Sequence, residues 1–297
     1  MKIIRTARFM AAWSERLRRK GVTIGFVPTM GALHDGHRSL IRTARLRCDA
    51  LVVSIFVNPS QFSPTEDLST YPRPIARDRA LCLREGVDVC FEPTAQTMYP
   101  QGFQTTVIVP ALASRWEGAA RPHHFTGVAT VVTKLFCLVR PHLALFGQKD
   151  YQQATLVRQL VHDLNLGVTI QVCTTVRERD GLAMSSRNIY LSADERRLAP
   201  LLSRALQAGR RVIKGGMRDV AAIERIMRQT IKQAPAIHVE YLAVCDQDSL
   251  EPLSVVADRT VLLGAVRIGA IRLIDNLLVQ IPGKKSRATR RSWDQGA

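Results

Sequence analysis

Long apolar runs are missing from this sequence. No stretch approaches the roughly 18 residues of a membrane span, so nothing in it is expected to cross a bilayer. The N-terminus carries Arg5 and Arg8, but its apolar stretch, Phe9 to Trp13, is too short for a signal-peptide core and runs into Glu15 and Arg16. Secretion is not expected. Paired cysteines are missing too: Cys48, Cys82, Cys90, Cys137, Cys173 and Cys245 are scattered, with no CxxC and mostly inside apolar segments. They read as reduced core thiols rather than disulfide partners or zinc ligands. There is no internal repeat. Acid is scarce, with 25 Asp and Glu against 42 Lys and Arg, a net charge of +17. Such a field attracts any polyanion, whether nucleotide, nucleic acid or acidic membrane, without choosing among them. Much of it lies along helical patterns, at Arg42, Arg45 and Arg47 and at Arg196, Arg197, Arg204, Arg210 and Arg211, which fits solvated faces. With no recognised nucleic-acid motif and no interleaved aromatics, nucleic acid is not the expected partner.

What is present is an ordinary apolar fraction, 46%, spread over 297 residues, enough for a large domain and a smaller one. After an amphipathic helix expected from about Thr6 to Lys20, short apolar strands alternate with helical patterns. The strands are Val22 to Val27, Leu51 to Val57, Val87 to Phe91, Leu143 to Phe146 and Val168 to Cys173. This alternation predicts parallel β-α-β units, hence an α/β fold with a doubly wound, Rossmann-like parallel sheet. Near Arg177 the pattern changes: a polar loop, RERDGLAMSSRN, precedes two helical stretches and the strand-like HVEYLAVC and TVLLGAVRI. The expected division is a large domain over 1–176, a smaller α+β lid domain over 177–282 and a basic mobile tail over 283–297.

Ligands of an open parallel sheet bind beyond the carboxyl ends of its strands, so the polar residues of those loops are the candidates. The first strand ends in PTMGALHDGH, with two glycines for close backbone approach and a helix start for a phosphate. His34 and His37 are three apart and can face the same side of that start, donating to phosphates as charge moves onto a leaving pyrophosphate. A pair of capping histidines or a metal pair would show the same spacing. The second strand ends in FVNPSQF, where the neutral amide of Gln61 suits a hydroxy acid or a structural turn. FGQKDYQQ brings Gly147, Lys149 as a phosphate ligand, Asp150 as a ribose ligand or helix cap, and Gln153 one turn on. Ser185, Ser186 and Arg187 offer two hydroxyls and a guanidinium that can close over a triphosphate, or form a capped turn with Asn188 or Ser192 starting a helix. RPHHF adds Arg121 and His124, which approach a substrate or order a loop.

In this order PTMGALHDGH, VNPSQF, FGQKDYQQ, RDGLAMSSRN and the later RLIDN resemble the pantothenate synthetase (pantoate–β-alanine ligase) family of the HxGH nucleotidyltransferase superfamily, from about Ile3 to Ile281. The resemblance implies ATP-dependent condensation of pantoate with β-alanine through pantoyl adenylate, releasing pyrophosphate and AMP. It implies that Met30, Gly31, Ala32, Leu33, His34, Asp35, Gly36 and His37 contact ATP, with His37 the proton donor and His34 its partner at the phosphates. Gly147, Gln148, Lys149, Asp150, Val176, Met184, Ser185, Ser186 and Arg187 would complete the ATP site. Catalysis would rest on His34, His37, Lys149 and Arg187. Gln61 and Gln153 would hold pantoate, and Gln61 would also meet β-alanine. Magnesium would ride on the phosphates of ATP with no fixed protein cage, and the protein would be a cytoplasmic homodimer. Two alternatives remain at this level: another HxGH nucleotidylyltransferase, which leaves the nucleotide on its product, and a basic nucleic-acid-binding protein. The chain departs from the family pattern at His123, where the family carries glycine, and in its basic C-terminal tail.

Overall fold

The computed structural model describes residues 1–63, 66 and 68–281; the basic tail expected over 283–297 lies outside the described residues. The chain forms two compact units. One comprises Met1–Glu178 with Met184–Ile189, the other Arg179–Ala183 with the residues from Tyr190 onward.

The first unit is built on β1 (Lys2–Ile4), β2 (Ile24–Thr29), β3 (Ala50–Ile55), β4 (Val89–Phe91), β5 (Leu143–Gly147) and β6 (Thr169–Cys173). They form one sheet in the order β1-β4-β3-β2-β5-β6 with every pair parallel, the doubly wound arrangement that the alternating pattern predicts. Its helices are α1 (Ala7–Arg18), α2 (Asp35–Arg45), α3 (Ile75–Arg84), α4 (Ala95–Met98), α5 (Pro110–Ala113), α6 (Glu117–Ala120), α7 (His124–Val139) and α8 (Tyr151–Asp163). The central strands are apolar on both faces, Ile24, Phe26 and Val27 in β2 and Leu51 to Val53 in β3 being fully buried, which is why helices must cover both sides. β1, α3 and the four-residue helices α4, α5 and α6 are additions to the expected elements. β1 is a three-residue edge strand, and in α3 arginines crowd the helical period.

The order of the strands places the ligand crevice. From β2 the chain moves outward through β3 and β4, then returns to β5 on the other flank of β2. The loops after β2 and β5 therefore diverge at the switch point. A second device brings the loop after β3 into place. At Gly127 in α7 an added Cβ would lie 2.3 Å from the Ser60 carbonyl oxygen, so only glycine lets the 3-10 turn Pro59–Gln61 rest on the helix backbone. Asn58 Nδ2 fastens the contact by donating to the Gly127 carbonyl at 3.2 Å.

The second unit holds α9 (Ala193–Leu198), α10 (Pro200–Lys214) and α11 (Val220–Lys232), followed by an antiparallel sheet of β7 (Ile237–Asp246), β8 (Arg259–Ile268) and β9 (Ile271–Gln280). Three strands replace the two expected: RLIDN, read as a motif, opens β9, and the β8–β9 pairing runs without interruption from Arg259–Gln280 to Ile268–Ile271. Leu206, Ile223, Met227 and Leu262 are fully buried in its core. Ser192 caps α9 in a reciprocal pair with Glu195. The six cysteines are free, and Cys137 is exposed rather than core.

His123, the departure from the family pattern, sits just before α7 with φ +71° and ψ −13°, the left-handed region in which glycine has no steric cost. His123→Gly is expected to stabilise the protein by about 0.5–1 kcal/mol, the relief of backbone strain exceeding the added chain entropy. A rise in the urea midpoint with an unchanged slope is the expected readout; a lower midpoint would mean that the imidazole holds the turn.

Candidate active site

Four loops of the first unit line one cavity of roughly 240 Å³. The loop after β2 turns through Gly31 at φ +83° and Ala32 at φ +50°. An L-residue such as Ala32 keeps that conformation only under restraint. Asp78 of α3 supplies it: its Oδ2 accepts the Ala32 N–H and its Oδ1 the Leu33 N–H, each at 2.8 Å. Burial pushes the Asp78 carboxyl up, against those two amides, which favour the ionised form. Thr29 Oγ1 accepts the Gly31 N–H at 3.2 Å and donates to the Ser54 carbonyl at 2.6 Å, tying the turn to β3.

So held, the chain enters α2 with His34 as its N-cap and His37 three residues on. The histidines form a capping box: His34 Nδ1 accepts the Gly36 N–H at 3.1 Å, and His37 Nδ1 accepts the His34 N–H at 3.3 Å. The capping alternative is thus realised, and it does not compete with chemistry. With both Nδ1 atoms accepting, each neutral ring carries its proton on Nε2 and keeps that N–H to donate. At Gly36 an added Cβ would lie 2.8 Å from His34 Cε1, so a larger residue would push the His34 ring out of its cap. The ring centroids are 4.2 Å apart. Burial, then the neighbouring Lys149, lowers the His34 pKa from 6.5 to about 4, and burial, then His34, lowers that of His37 from 6.5 to about 3. Both rings are neutral at pH 7.

Gln61 is 8% exposed and anchored: its Oε1 accepts from Asn58 Nδ2 at 3.1 Å and its Nε2 donates to Met30 Sδ at 3.0 Å. Its backbone is clamped as well. The Gln61 carbonyl accepts from His124 Nδ1 at 2.9 Å and from Arg121 Nη2 at 3.3 Å, so His124 carries its proton on Nδ1, and its Nε2 accepts from Arg121 Nη1 at 3.2 Å. Glu66 grips the guanidinium from the other side, at 2.5 Å to Nε and 3.0 Å to Nη2. Burial opposes the Glu66 carboxylate, but Arg121 outweighs it and holds the pKa below the usual value. Arg121 and His124 therefore order the Gln61 turn. The Gln153 side chain, by contrast, forms no hydrogen bond among the described residues.

At the start of α8, Asp150 makes no side-chain cap; its carboxylate faces Lys149 Nζ at 3.4 Å. The carboxylate is half exposed, and Lys149 first, with His37 and Arg187, holds its pKa below the usual range. The loop carrying Ser185 to Arg187 packs on Tyr71: Ser186 Oγ lies 3.4 Å from the phenol oxygen, and the Arg187 guanidinium sits 5.8 Å from the ring centre. Met184 N–H donates to the Val176 carbonyl at 3.0 Å.

The cavity brings together Met30, His34, Gly36, His37, Gln61, Gly147, Lys149, Asp150, Gln153, Val176 and Met184 to Arg187. Gly31, Ala32 and Gln148 do not line it, and Leu33 and Asp35 line a neighbouring cavity instead. Sequence reasoning missed Asp78, Glu66 and Tyr71, whose partners are distant in the chain, and Thr175, whose buried hydroxyl lines the cavity with no partner among the described residues.

Glu66→Gln is expected to lower stability by about 1–2 kcal/mol, less than for a fully buried pair because both groups keep some water contact, with Glu66→Asp recovering part of the loss. Urea midpoints at fixed pH measure it; an unchanged midpoint would remove the clamp. Acid should act through the histidines. The folded pKa values of His34, His37 and His124 are lowered from 6.5 to about 4, 3 and 4, so the unfolded chain binds more protons below pH 6.5. Stability is then full above pH 6.5 and falls as pH drops towards 4. Midpoints at pH 7.5, 6 and 5 should decline in that order, and less steeply in His124→Gln.

The family pattern described as Pantoate-beta-alanine ligase matches residues 2–278. A pantothenate synthetase of Heliobacterium modesticaldum is 50% identical over 281 residues, covering 95% of this chain and 100% of that protein. One of Moorella thermoacetica is 47% identical, covering 95% and 99%. Among solved structures, a pantothenate synthetase from Thermus thermophilus superposes with a TM-score of 0.90 at 45% identity, covering 95% of this chain and 100% of that one. Pantoate-beta-alanine ligase from Francisella tularensis, complexed with beta-gamma ATP and beta-alanine, gives 0.78 at 34%, covering 94% and 97%.

Proposed function

The chain belongs to the pantoate–β-alanine ligase family, and from that premise we propose how its cavity divides the work. The reaction is the ATP-dependent condensation of pantoate with β-alanine, and a pantoyl-adenylate intermediate is consistent with the family. Membership favours this ligase reaction, as the chain's function, over a nucleotidylyltransferase that leaves the nucleotide on its product and over a nucleic-acid-binding module.

In the first step a pantoate carboxylate oxygen bonds to the α-phosphorus and the α–β bridging bond breaks, its electron pair leaving on pyrophosphate. His34 and His37 would donate their Nε2–H groups to the charge that develops there, at the positive end of α2. Held neutral, His37 acts in this scheme as a hydrogen-bond donor rather than as an acid. Lys149, Ser185, Ser186 and Arg187 would hold the phosphates, and Met30, Gly36, Gly147, Asp150, Val176 and Met184 the rest of the nucleotide. Gln61, fixed by its neighbours, would present a preset amide to pantoate, while Gln153 adapts to it; Gln61 would then meet β-alanine. In the second step the neutral amine of β-alanine bonds to the acyl carbon and loses a proton to solvent, and AMP leaves with the electron pair of the acyl–oxygen bond. The observation that carries this reading is the lining of one cavity by both amides, both histidines and the phosphate-type donors.

Magnesium would be held mainly by phosphate oxygens. Among the described residues no three His, Cys, Asp or Glu side chains form a cage, and Asp150 is the acidic group lining the cavity. The ion supplies charge neutralisation of the polyphosphate. Homodimer pairing and a cytoplasmic location belong to the same proposal; among the described residues no helix is long and apolar enough to cross a membrane.

Labelled pyrophosphate is expected to exchange into ATP when pantoate is present and β-alanine absent, and addition of β-alanine should yield pantothenate and AMP. His37→Ala should fold and slow exchange about 100-fold, the scale of a lost transition-state donor. Full turnover without any exchange would sink a freely formed adenylate, and wild-type rates in His37→Ala would remove the histidine from the mechanism.

A further inference from the structure

β3 and β4 are neighbours in the sheet, so the loop after β4 lies beside the loop that carries Gln61. Its sequence is PTAQTMYP, Pro93 to Pro100. Thr94 caps the short α4 by accepting the Thr97 N–H at 3.1 Å, and Met98 is fully buried, which fixes where the next residue, Tyr99, stands. The Tyr99 ring packs on Phe56 and Phe103, with centroids 6.4 and 5.2 Å away. Its hydroxyl donates to Asn58 Oδ1 at 2.7 Å. Burial pushes the phenol pKa up, so at neutral pH the proton is in place to be donated.

Asn58 is 1% exposed, and its amide is fully engaged. Besides Tyr99, its Oδ1 accepts from Ser60 Oγ at 2.9 Å and from the Ser60 N–H at 3.3 Å, while its Nδ2 donates to the Gly127 carbonyl at 3.2 Å and to Gln61 Oε1 at 3.1 Å. Which end of this amide is oxygen is not a free choice. A backbone N–H can only donate and a backbone carbonyl can only accept, so Ser60 and Gly127 key its direction. Asn58 passes that polarity on. The Gln61 amide must meet Nδ2 with its oxygen, which turns Nε2 towards Met30, whose sulfur accepts at 3.0 Å. Of the Gln61 amide, one N–H and one oxygen lone pair are left to a ligand. Met30 belongs to the loop after β2, which leads to His34 and His37, so the N–H edge of Gln61 lies on the side proposed above for the nucleotide. A pantoate carboxylate that bonds to the α-phosphorus would meet that edge. An amide turned the other way would set a carbonyl oxygen against the carboxylate.

We propose that Tyr99 is a positioning residue of the adenylation step: through Asn58, its hydroxyl keeps the N–H edge of Gln61 turned to the pantoate carboxylate. The inference rests on the reading of Gln61 as a pantoate ligand and deepens it with a residue that does not itself line the cavity. Ser60 shares the task, since its hydroxyl also lies 3.1 Å from the phenol oxygen and closes a ring of three polar groups around Asn58 Oδ1.

Steady-state formation of AMP by the full chain, with β-alanine saturating, reads the KM for pantoate and the KM for ATP separately. Tyr99→Phe keeps the ring and removes the hydroxyl, and the KM for pantoate should rise about fivefold, the scale of one lost hydrogen bond, with the KM for ATP unchanged. Tyr99→Phe with Ser60→Ala leaves Asn58 Oδ1 only its backbone donor, and the rise should reach about 20-fold. Phe103→Leu loosens the packing around the ring but spares the hydroxyl; it should lower the urea midpoint and leave the KM for pantoate at the parent value. An unchanged KM for pantoate in Tyr99→Phe, an equal rise in the KM for ATP, or a rise for pantoate in Phe103→Leu as large as in Tyr99→Phe would overturn the assignment. A parent enzyme that makes no AMP and pantothenate would instead overturn the functional reading itself.

Discussion

A single carboxylate holds the active end of the sheet in shape. Asp78 accepts two consecutive backbone N–H groups from a turn whose second residue, Ala32, lies in the left-handed region. Without those bonds the turn would relax, because nothing about alanine favours that conformation. The entry of the chain into α2 follows from the turn, and the capping box of His34 and His37 follows from the entry. The capping box in turn decides which ring nitrogens carry protons. A contact two steps removed from any ligand therefore sets the direction in which two imidazoles can donate.

The same logic, anchoring by groups that touch no ligand, recurs at the second loop. Glu66 fixes Arg121, Arg121 and His124 fix the Gln61 carbonyl, and Gly127 admits the turn against α7. The two amides proposed to meet substrate are thus of different kinds. Gln61 is part of a rigid frame, whereas Gln153 is uncommitted until something binds. A preset donor and an adaptable one suit the proposed reaction, in which the occupant would change from a carboxylate to an acyl adenylate within one turnover.

The sheet was legible because buried parallel strands are short apolar runs, and the loops at their ends carry the residues with unusual chemistry. Three of the four loops could be placed from the alternation, and the fourth from the point near Arg177 where the alternation stops. What escaped was non-local or locally atypical. Asp78 and Glu66 look like surface acids in a polar stretch, and their value lies in partners 45 and 55 residues away. α3 hides behind its arginines, β1 is too short for a pattern, and β9 opens in a segment that drew attention as a motif. The spacing of His34 and His37 suggested either a cap or a phosphate site. Only the acceptor role of both Nδ1 atoms shows that the cap leaves the outward nitrogens available.

The path of the chain between the two units bears on how such an enzyme can be divided or rearranged. It leaves the first unit after Glu178, returns for Met184–Ile189 and leaves again at Tyr190. A gene fragment ending at residue 178 would encode every strand of the parallel sheet and yet omit Ser185, Ser186 and Arg187. No single cut point yields both units whole. Recombination at one junction would leave either the return segment Met184–Ile189 or the segment Arg179–Ala183 with the wrong parent.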